Sequence, residues 1–300
     1  MSDAVSSLAP GVVLHGTYRL EGPLGRGGMG AVWRASHLRL PRPVAIKVLH
    51  EQAEDDEALL RRFQREAEVT SRLGHPHIVE VFDFNRLPDG RSYIVMELLE
   101  GRSLRERMRE GPPLRLDEVI RLLDQVAGAL AHAHRAGVVH RDLKPENVFL
   151  VGDGTGRPGP LHAKVLDFGI SKLQGASTVL TQGPGLMGTP RYMSPEQAHG
   201  EDAVDGRADQ FALGAIGYEL LVGRPAFGGT SVTQVLFQVL EKDPEPIASL
   251  AFGVPEDLAQ AVMRALSKES SQRFADLEQF RAALVSATTE DEVPRRPRLP

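Results

Sequence analysis

The stretch that decides the interpretation of this chain is His140-Arg-Asp-Leu-Lys-Pro-Glu-Asn147, followed downstream by Asp167-Phe-Gly169. The surrounding sequence predicts short strands and long loops here. An aspartate or asparagine in a loop is, taken singly, most often a turn or capping residue. The joint occurrence of Asp142, Lys144, Asn147 and Asp167 in two short segments instead favours a chemical role.

Upstream of these segments, Lys47 lies in the otherwise apolar run Val44-Ala-Ile-Lys-Val-Leu49. A buried ammonium group costs several kcal/mol unless it meets an anion. Glu66, on a helix predicted over about 55–73, is one candidate anion, and a bound phosphate is another. The alternatives are a lysine at a strand edge facing solvent and a glutamate on a solvated, arginine-rich helix face.

Further upstream, Gly25-Arg-Gly-Gly-Met-Gly30 has the spacing G-x-G-x-x-G, which lets backbone N–H groups approach phosphate oxygens closely. The motif is weak on its own, since flexible turns and dinucleotide-binding folds share it. In dinucleotide-binding folds the glycines open a helix. Here the strand 44–49 follows them, so the pattern predicts a hairpin that covers phosphates.

The composition is that of a globular chain with no bias towards nucleic acid. Its 300 residues carry a net charge of −5 with a pI near 6.1, so no basic field points to nucleic acid. The absence of cysteine excludes disulfides, thiolate catalysis and cysteine-ligated zinc. No signal peptide or membrane segment is visible, so we expect a cytoplasmic location, with tethering through a further C-terminal segment left open.

The order of the elements predicts an α+β fold, because a strand-rich region from Tyr18 to Leu98 precedes a helical region after Gly101. Strands are expected at 44–48, 78–82 and 93–96. Helices are expected over 117–136, 205–222, 231–241, 255–267 and 274–286, where apolar residues recur at helical spacing. A glycine-rich hairpin connection is expected at 152–160.

Taken together, the glycine loop, Val44-Ala-Ile-Lys47, the segment 140–147 and Asp167-Phe-Gly169 resemble the protein kinase superfamily. The glycine loop and Gly188-Thr-Pro-Arg-Tyr-Met-Ser-Pro-Glu-Gln197 are most similar to the bacterial eukaryotic-like serine/threonine protein kinases. The resemblance implies a bilobal fold with a small antiparallel-sheet N-lobe, carrying one main helix, and a larger mainly helical C-lobe. It divides the chain into a disordered lead at 1–10, N-lobe 11–97, hinge 98–101, C-lobe 102–287 and a Pro/Arg-rich linker or tail at 288–300.

This resemblance implies an enzyme that transfers the γ-phosphoryl group of ATP to Ser/Thr hydroxyls of proteins in bacterial signalling. Asp142 would receive or orient the proton of the acceptor hydroxyl, and Lys144 would neutralise charge on the migrating phosphoryl group. Lys47, fixed by Glu66, would hold the α- and β-phosphates.

The resemblance also implies a metal site and a nucleotide pocket. Asn147 and Asp167 would bind Mg²⁺, with Mn²⁺ as a substitute. The ATP-binding residues would be Leu24, Gly25, Arg26, Gly27, Gly28, Met29, Gly30, Val32, Ala45, Lys47, Met96, Glu97, Leu99 and Phe149. Phe149 departs from the family, which more often has an aliphatic residue at this position.

Two further features concern the acceptor and regulation. Lys144 and Thr189, in the P+1 loop, resemble the serine/threonine pattern, in which Thr189 contacts the catalytic loop. Arg141 immediately precedes the catalytic aspartate. Kinases of the family with an arginine at this position usually need a phosphate on the activation loop as its anionic partner. We therefore expect autophosphorylation at Thr178 or Thr181. The alternative is a Ser/Thr/Gly-rich loop that is merely flexible.

Three supporting positions complete the resemblance. Glu196 and Arg273 resemble a buried ion pair, and Asp209 resembles the aspartate that braces the catalytic loop. The expected partners are protein substrates and a second copy of the chain, as a homodimer for autophosphorylation. A pseudokinase and a small-molecule kinase of the same fold are the rival interpretations. Retention of Lys47 and the catalytic-loop residues disfavours the first, and the segment 189–196 disfavours the second.

Overall fold

The computed structural model describes residues 8–27, 30–50, 57–152, 161–168, 190–201 and 203–287. It confirms the α+β bilobal fold, with a curled antiparallel sheet followed by a mainly helical lobe. Residues 1–7 of the expected disordered lead lie outside the description. Leu8, by contrast, packs against the core of the sheet.

The N-lobe sheet consists of six strands: β1 (Val13–Leu14), β2 (Tyr18–Arg26), β3 (Gly30–His37), β4 (Pro43–Leu49), β5 (Val81–Arg86) and β6 (Ser92–Glu97). Their order in the sheet is β1-β2-β3-β4-β6-β5, antiparallel throughout. The β2–β3 hairpin carries the glycine loop at its turn. The following strand β4 brings Lys47 opposite Val32, which places the lysine under that hairpin.

Helix α1 (Glu57–Arg72) crosses one face of this sheet. Phe63 and Ala67 are buried and form a small core with Leu49 and Ile94. The apolar residues of α1 are three to four positions apart and therefore lie on one face, and this face packs against the sheet.

One predicted strand is displaced. The run from Ile78 was expected to begin a strand, but β5 begins at Val81. Residues 77–79 instead bond to the larger lobe: Val165 N donates to His77 O at 2.9 Å, and Val79 N donates to Val165 O at 3.0 Å. Because these backbone groups are already paired, the sheet strand starts only after them.

The C-lobe is built on two buried helices, α3 (Leu116–Arg135) and α5 (Arg207–Val222). The other described helices are α2 (Leu104–Glu110), α4 (Pro195–His199), α6 (Val232–Glu241), α7 (Ile247–Leu250), α8 (Glu256–Ala265) and α9 (Leu277–Ser286). The 117–136, 205–222, 231–241, 255–267 and 274–286 predictions therefore hold within a few residues at each end. Helix α5 is buried on nearly all sides, as its almost uninterrupted apolar sequence requires.

A small sheet lies beside the two candidate segments, since Asn147 immediately precedes one of its strands and Asp167 follows another. It consists of β7 (Gly101–Ser103), β8 (Val148–Val151) and β9 (His162–Val165) in that order, all antiparallel. Strands β8 and β9 flank the expected hairpin connection, of which 153–160 lie outside the description. Among the described residues, no helix is long and apolar enough to cross a membrane.

Candidate active site

Three charged side chains meet between the sheet and α1. Nζ of Lys47 lies 2.8 Å from Oδ1 of Asp167 and 3.3 Å from Oε1 of Glu66. The predicted pair of Lys47 with Glu66 is therefore present, and Asp167 joins it from the C-lobe. Glu66 is 8% exposed because it lies on the same helix face as the buried Phe63 and Ala67. The alternative of a solvated glutamate is wrong.

The charges in this cluster shift the protonation of each member. Burial raises the pKa of Glu66 to about 7, against the opposing effect of the Lys47 ammonium group. Burial favours neutral forms of Lys47 and Asp167 as well, but the ion pairs outweigh it. The pKa of Lys47 is therefore raised and that of Asp167 is lowered. Two carboxylates thus share one lysine.

The catalytic loop brings Asp142, Lys144 and Asn147 together. Nζ of Lys144 donates to Oδ2 of Asp142 at 2.7 Å, and Nδ2 of Asn147 donates to the carbonyl of Asp142 at 2.9 Å. The backbone N–H of Leu166 donates to the carbonyl of Asn147, which holds the segment before Asp167 beside this loop. The structure therefore places the residues of both sequence segments in one site.

The backbone of this site adopts an unfavourable conformation that buried hydrogen bonds maintain. Arg141 and Asp167 have φ angles of +63° and +45°, in the left-handed region that residues other than glycine rarely adopt. The backbone N–H groups of His140 and Arg141 each donate to the carboxylate of Asp209 at 2.8 Å. Asp209 is 1% exposed. Burial raises the pKa of its carboxyl group, but the hydrogen bond from His134 and the neighbouring donors outweigh this effect, so the pKa is lowered.

His140 and Phe168 are packing residues. Both side chains are fully buried, with ring centroids 4.9 Å apart, and Nε2 of His140 lies 3.0 Å from the carbonyl of Leu166. The histidine supports the catalytic loop, since its Nδ1 also accepts from the backbone N–H of Asp142 at 3.2 Å.

The glycines of the loop have two different reasons to be glycine. A Cβ atom on Gly30 would lie 2.1 Å from the carbonyl oxygen of Val48, so the fold excludes any side chain there. A Cβ on Gly25 would meet nothing within 4 Å, and one on Gly27 only the Gly30 carbonyl at 4.0 Å. The open space above these two positions fits a phosphate-binding cradle. The predicted Gly28 and Met29 lie outside the described residues.

The residues predicted to bind adenine come from both lobes. Ala45 pairs with Met96 in the sheet, and Ala45 is buried whereas Leu24 is 52% exposed at the mouth. Met96 also lines a small cavity beside Lys47 and Glu66. Four further residues of the predicted ATP-binding set are partly exposed or exposed: Arg26, Val32, Leu99 and Phe149.

The carboxylate of Glu97 has a role that the sequence analysis missed. Its Oε1 accepts from Nζ of Lys164 at 2.6 Å and from the backbone N–H of Glu80 at 2.8 Å. Lys164 Nζ also donates to the carbonyl of Ile78 at 3.2 Å. The Glu97 carboxylate is therefore engaged in these contacts, and Lys164 links the segment before β5 to the end of β6.

The site offers oxygen donors for a metal ion without a complete protein cage. The described residues contain no group of three or more His, Cys, Asp or Glu side chains that could hold a metal ion. The Nδ2 of Asn147 is used by Asp142, which leaves Oδ1 as a candidate ligand beside the Asp167 carboxylate. This donor set fits Mg²⁺, which binds through few protein oxygens together with phosphates and water.

A family model described as "Protein kinase domain" matches residues 18–283. The chain belongs to the protein kinase family. It is 42% identical over 275 residues to the serine/threonine-protein kinase Pkn1 of Myxococcus xanthus, covering 92% of this chain and 39% of that protein. It is 37% identical to the serine/threonine-protein kinase PknB of Mycobacterium leprae, covering 91% of this chain and 43% of that protein.

Solved structures agree with this assignment. The PknI kinase domain of Mycobacterium tuberculosis superposes with a TM-score of 0.71 at 31% identity, covering 94% of this chain and all of that one. The chain is thus a eukaryotic-like serine/threonine kinase catalytic domain. It spans about two-fifths of the length of Pkn1 and PknB.

The regulatory residues named from the sequence remain predictions. Thr178 and Thr181, the expected phosphorylation sites, lie outside the described residues, as does Thr189 of the P+1 loop. The resemblance of Glu196 and Arg273 to a buried pair is confirmed, with Arg273 Nη1 and Nη2 2.7 and 2.8 Å from the two carboxylate oxygens.

Proposed function

We propose that this domain transfers the γ-phosphoryl group of ATP to serine or threonine hydroxyls of other proteins. The observation that carries the proposal is that Asp167 of the C-lobe pairs with Lys47 of the N-lobe, which joins charged residues from the two lobes in one site. Lys47 and Glu66 come from the N-lobe, while Asp142, Lys144 and Asp167 come from the C-lobe. Phosphoryl transfer needs positioning and charge neutralisation above all, and this arrangement supplies both.

Each residue has a role that follows from its contacts. Lys47, held by Glu66, is placed to bind the α- and β-phosphates. Asp142 orients the acceptor hydroxyl and takes up its proton, while Lys144, 2.7 Å from that carboxylate, places a positive charge near the transferred group. Asn147 and Asp167 would hold Mg²⁺, or Mn²⁺ as a substitute. The metal, when bound, neutralises charge on the phosphates.

Two rival functions are less well supported. A pseudokinase would be expected to lack at least one of Lys47, Asp142, Asn147 and Asp167, and all four are present. A small-molecule kinase would not need the peptide-docking segment that Thr189-Pro-Arg-Tyr-Met-Ser-Pro-Glu196 resembles. The relatives named above are serine/threonine-protein kinases, which supports a protein substrate.

We further propose that the enzyme acts in the cytoplasm and is activated by autophosphorylation at Thr178 or Thr181 within a transient homodimer. The support is chemical: Nη2 of Arg141 donates to the carbonyl of Val204. A neutral carbonyl is a weaker partner for a guanidinium than a phosphate, so phosphorylation would provide a stronger one. Activity of a Thr178→Ala/Thr181→Ala variant equal to wild type would contradict this.

The test of the proposed function is incubation with radiolabelled ATP, Mg²⁺ and a generic basic protein, followed by mapping of the phosphate by mass spectrometry. Wild type is expected to label Ser or Thr, and Asp142→Asn to label neither. Asp117→Asn, which alters an exposed aspartate at the start of α3, is the matched control and should retain activity. Absence of transfer by wild type despite ATP binding would overturn the proposal and favour the pseudokinase.

A further inference from the structure

A second charged cluster lies behind the catalytic loop and centres on Arg105 of α2. Its Nε donates to Oε1 of Glu146 at 2.9 Å, and its Nη1 donates to Oε1 of Glu219 at 3.0 Å. Its Nη2 donates to the hydroxyl of Tyr192, which donates to the other oxygen of Glu219. One guanidinium group therefore connects four separate segments of the C-lobe.

The start of α2 is built so that Arg105 points to this place. Ser103 caps the helix, and its backbone N–H and hydroxyl both donate to the carboxylate of Glu106 at 2.8 Å, completing a capping box. Leu104 is fully buried and anchors the first turn. The helix has little freedom to rotate, so the Arg105 side chain is directed at the catalytic loop rather than at solvent.

Among the partners of Arg105, Glu146 is the one that lies in the catalytic loop. Glu146 belongs to the single turn Pro145–Asn147, between Lys144 and the candidate metal ligand Asn147. Asn147 also donates its side-chain amide to the carbonyl of Asp142. A displacement of this turn would therefore move both the oxygen of Asn147 and the backbone of Asp142.

The charges in the cluster do not cancel without Arg105. The two carboxylates face one guanidinium, and the Glu219 side chain is only 10% exposed. Tyr192 is buried as well, and burial together with Glu219 raises its pKa, so it stays neutral and cannot replace the cation. Loss of Arg105 would leave Glu146 and Glu219 without this cation.

We infer that Arg105 is a positioning residue for phosphoryl transfer: it fixes the turn 145–147 and thereby sets the place of Asn147 at the metal site. This inference rests on the proposed function. The hydrogen bonds of Arg105 support it, because they link α2 directly to the catalytic loop, to the turn Pro190–Tyr192 and to α5.

The test measures kcat and the free Mg²⁺ concentration for half-maximal activity, at constant saturating ATP, in Arg105→Met. The matched control is Arg109→Met, which removes an exposed arginine from the same helix. Misplacement of a reacting group by about 1 Å can cost up to about a hundredfold in rate. We expect Arg105→Met to lower kcat about tenfold or more and to raise the half-maximal Mg²⁺ several-fold, with Arg109→Met unchanged in both.

Two further variants separate positioning from folding. Arg105→Met/Glu219→Gln removes the excess buried charge and should recover thermal stability without recovering kcat or the Mg²⁺ dependence. Arg105→Lys keeps the charge but not the planar fork, and should give intermediate kcat. A double variant that recovers wild-type kcat, or an Arg105→Met that only loses stability, would overturn the inference. Inactive wild type would instead contradict the proposed function itself.

Discussion

Replacement of Arg273 by methionine should destabilise the C-lobe severely. The Arg273 side chain is fully buried, and all of its N–H donors are used: it binds both oxygens of Glu196 and the carbonyls of Ser267, Arg207 and Lys268 at 2.7–3.0 Å. Methionine fills a similar volume but donates nothing. The Glu196 carboxylate, only 11% exposed, would then be buried without a cation.

The magnitude follows from that stranded charge. Breaking a buried ion pair by removing one partner costs about 3–5 kcal/mol. For domains of about 150–250 residues each kcal/mol corresponds to roughly 2–4 °C, so a Tm lower by roughly 6–20 °C is expected. Arg224→Met is the control, because Arg224 pairs with Glu245 while both side chains are more than half exposed. An exposed pair contributes about 0–1 kcal/mol, so its Tm should barely change.

The assay is thermal and urea denaturation followed by circular dichroism, applied to both single variants and to Glu196→Gln/Arg273→Met. Because the double variant removes both charges, it should be more stable than Arg273→Met alone. A Tm for Arg273→Met within about 2 °C of the Arg224→Met control would refute the reasoning, since the buried charge would then cost nothing.

The same pair has a pH dependence of defined sign. Burial raises the pKa of Glu196, but Arg273 outweighs it, so the folded-state pKa lies below the ordinary value of 4.5. A lowered folded-state pKa contributes stability above the unfolded value, and that stability is lost as the pH falls through the folded value. The stability difference between wild type and Arg273→Met should therefore be largest near neutral pH and shrink in acid below about 4.5.

Three further outcomes are expected. Gly30→Ala should lower the Tm, because its Cβ would clash with the β4 backbone. Gly25→Ala should keep the Tm and raise the KM for ATP, because its Cβ would enter open space. Equal Tm values for the two variants would contradict a structural role for Gly30 and a binding role for Gly25. Because burial raises the pKa of Glu66 to about 7, its pairing with Lys47 weakens as the pH falls below neutral, so kcat/KM for ATP should decline from about pH 8 to about pH 6. Glu66→Gln should give a lower kcat/KM that varies less with pH. An equally steep pH profile in this variant would show that a group other than Glu66 titrates. Asp209→Ala should leave the backbone N–H groups of His140 and Arg141 unpaired, which lowers the free energy of unfolding by about 1–3 kcal/mol for each group. It should also reduce kcat; thermal denaturation measures the first effect and steady-state kinetics the second.

The sequence alone was enough to name the residues that we propose to take part in the reaction. Asp142, Asn147 and Asp167 lie in short motifs whose residue types the chemistry demands, so their order along the chain was informative without any contact. The helices were predictable for a related reason: the spacing of buried residues within one helix, as in α3, is a local property of the chain.

The networks that hold the site could not be predicted in the same way. Arg105 contacts Glu146, Tyr192 and Glu219, which lie 41, 87 and 114 residues away in the sequence. An arginine in the first turn of a helix has the same local pattern whether it faces water or a buried carboxylate. Only the approach of distant segments decides between the two.

Tertiary contacts also decided the fate of residues whose local pattern pointed elsewhere. Glu66 lies among surface arginines in the sequence, but packing of α1 against Leu49 and Ile94 turned it inward to Lys47. Ile78 has the sequence of a strand, but its neighbours bond to Val165 of the other lobe. Local sequence determines which conformation a segment favours and which chemical groups it carries. Which of those groups is buried and which partner it meets depend on how distant segments pack, because burial and hydrogen bonding are satisfied across the whole chain.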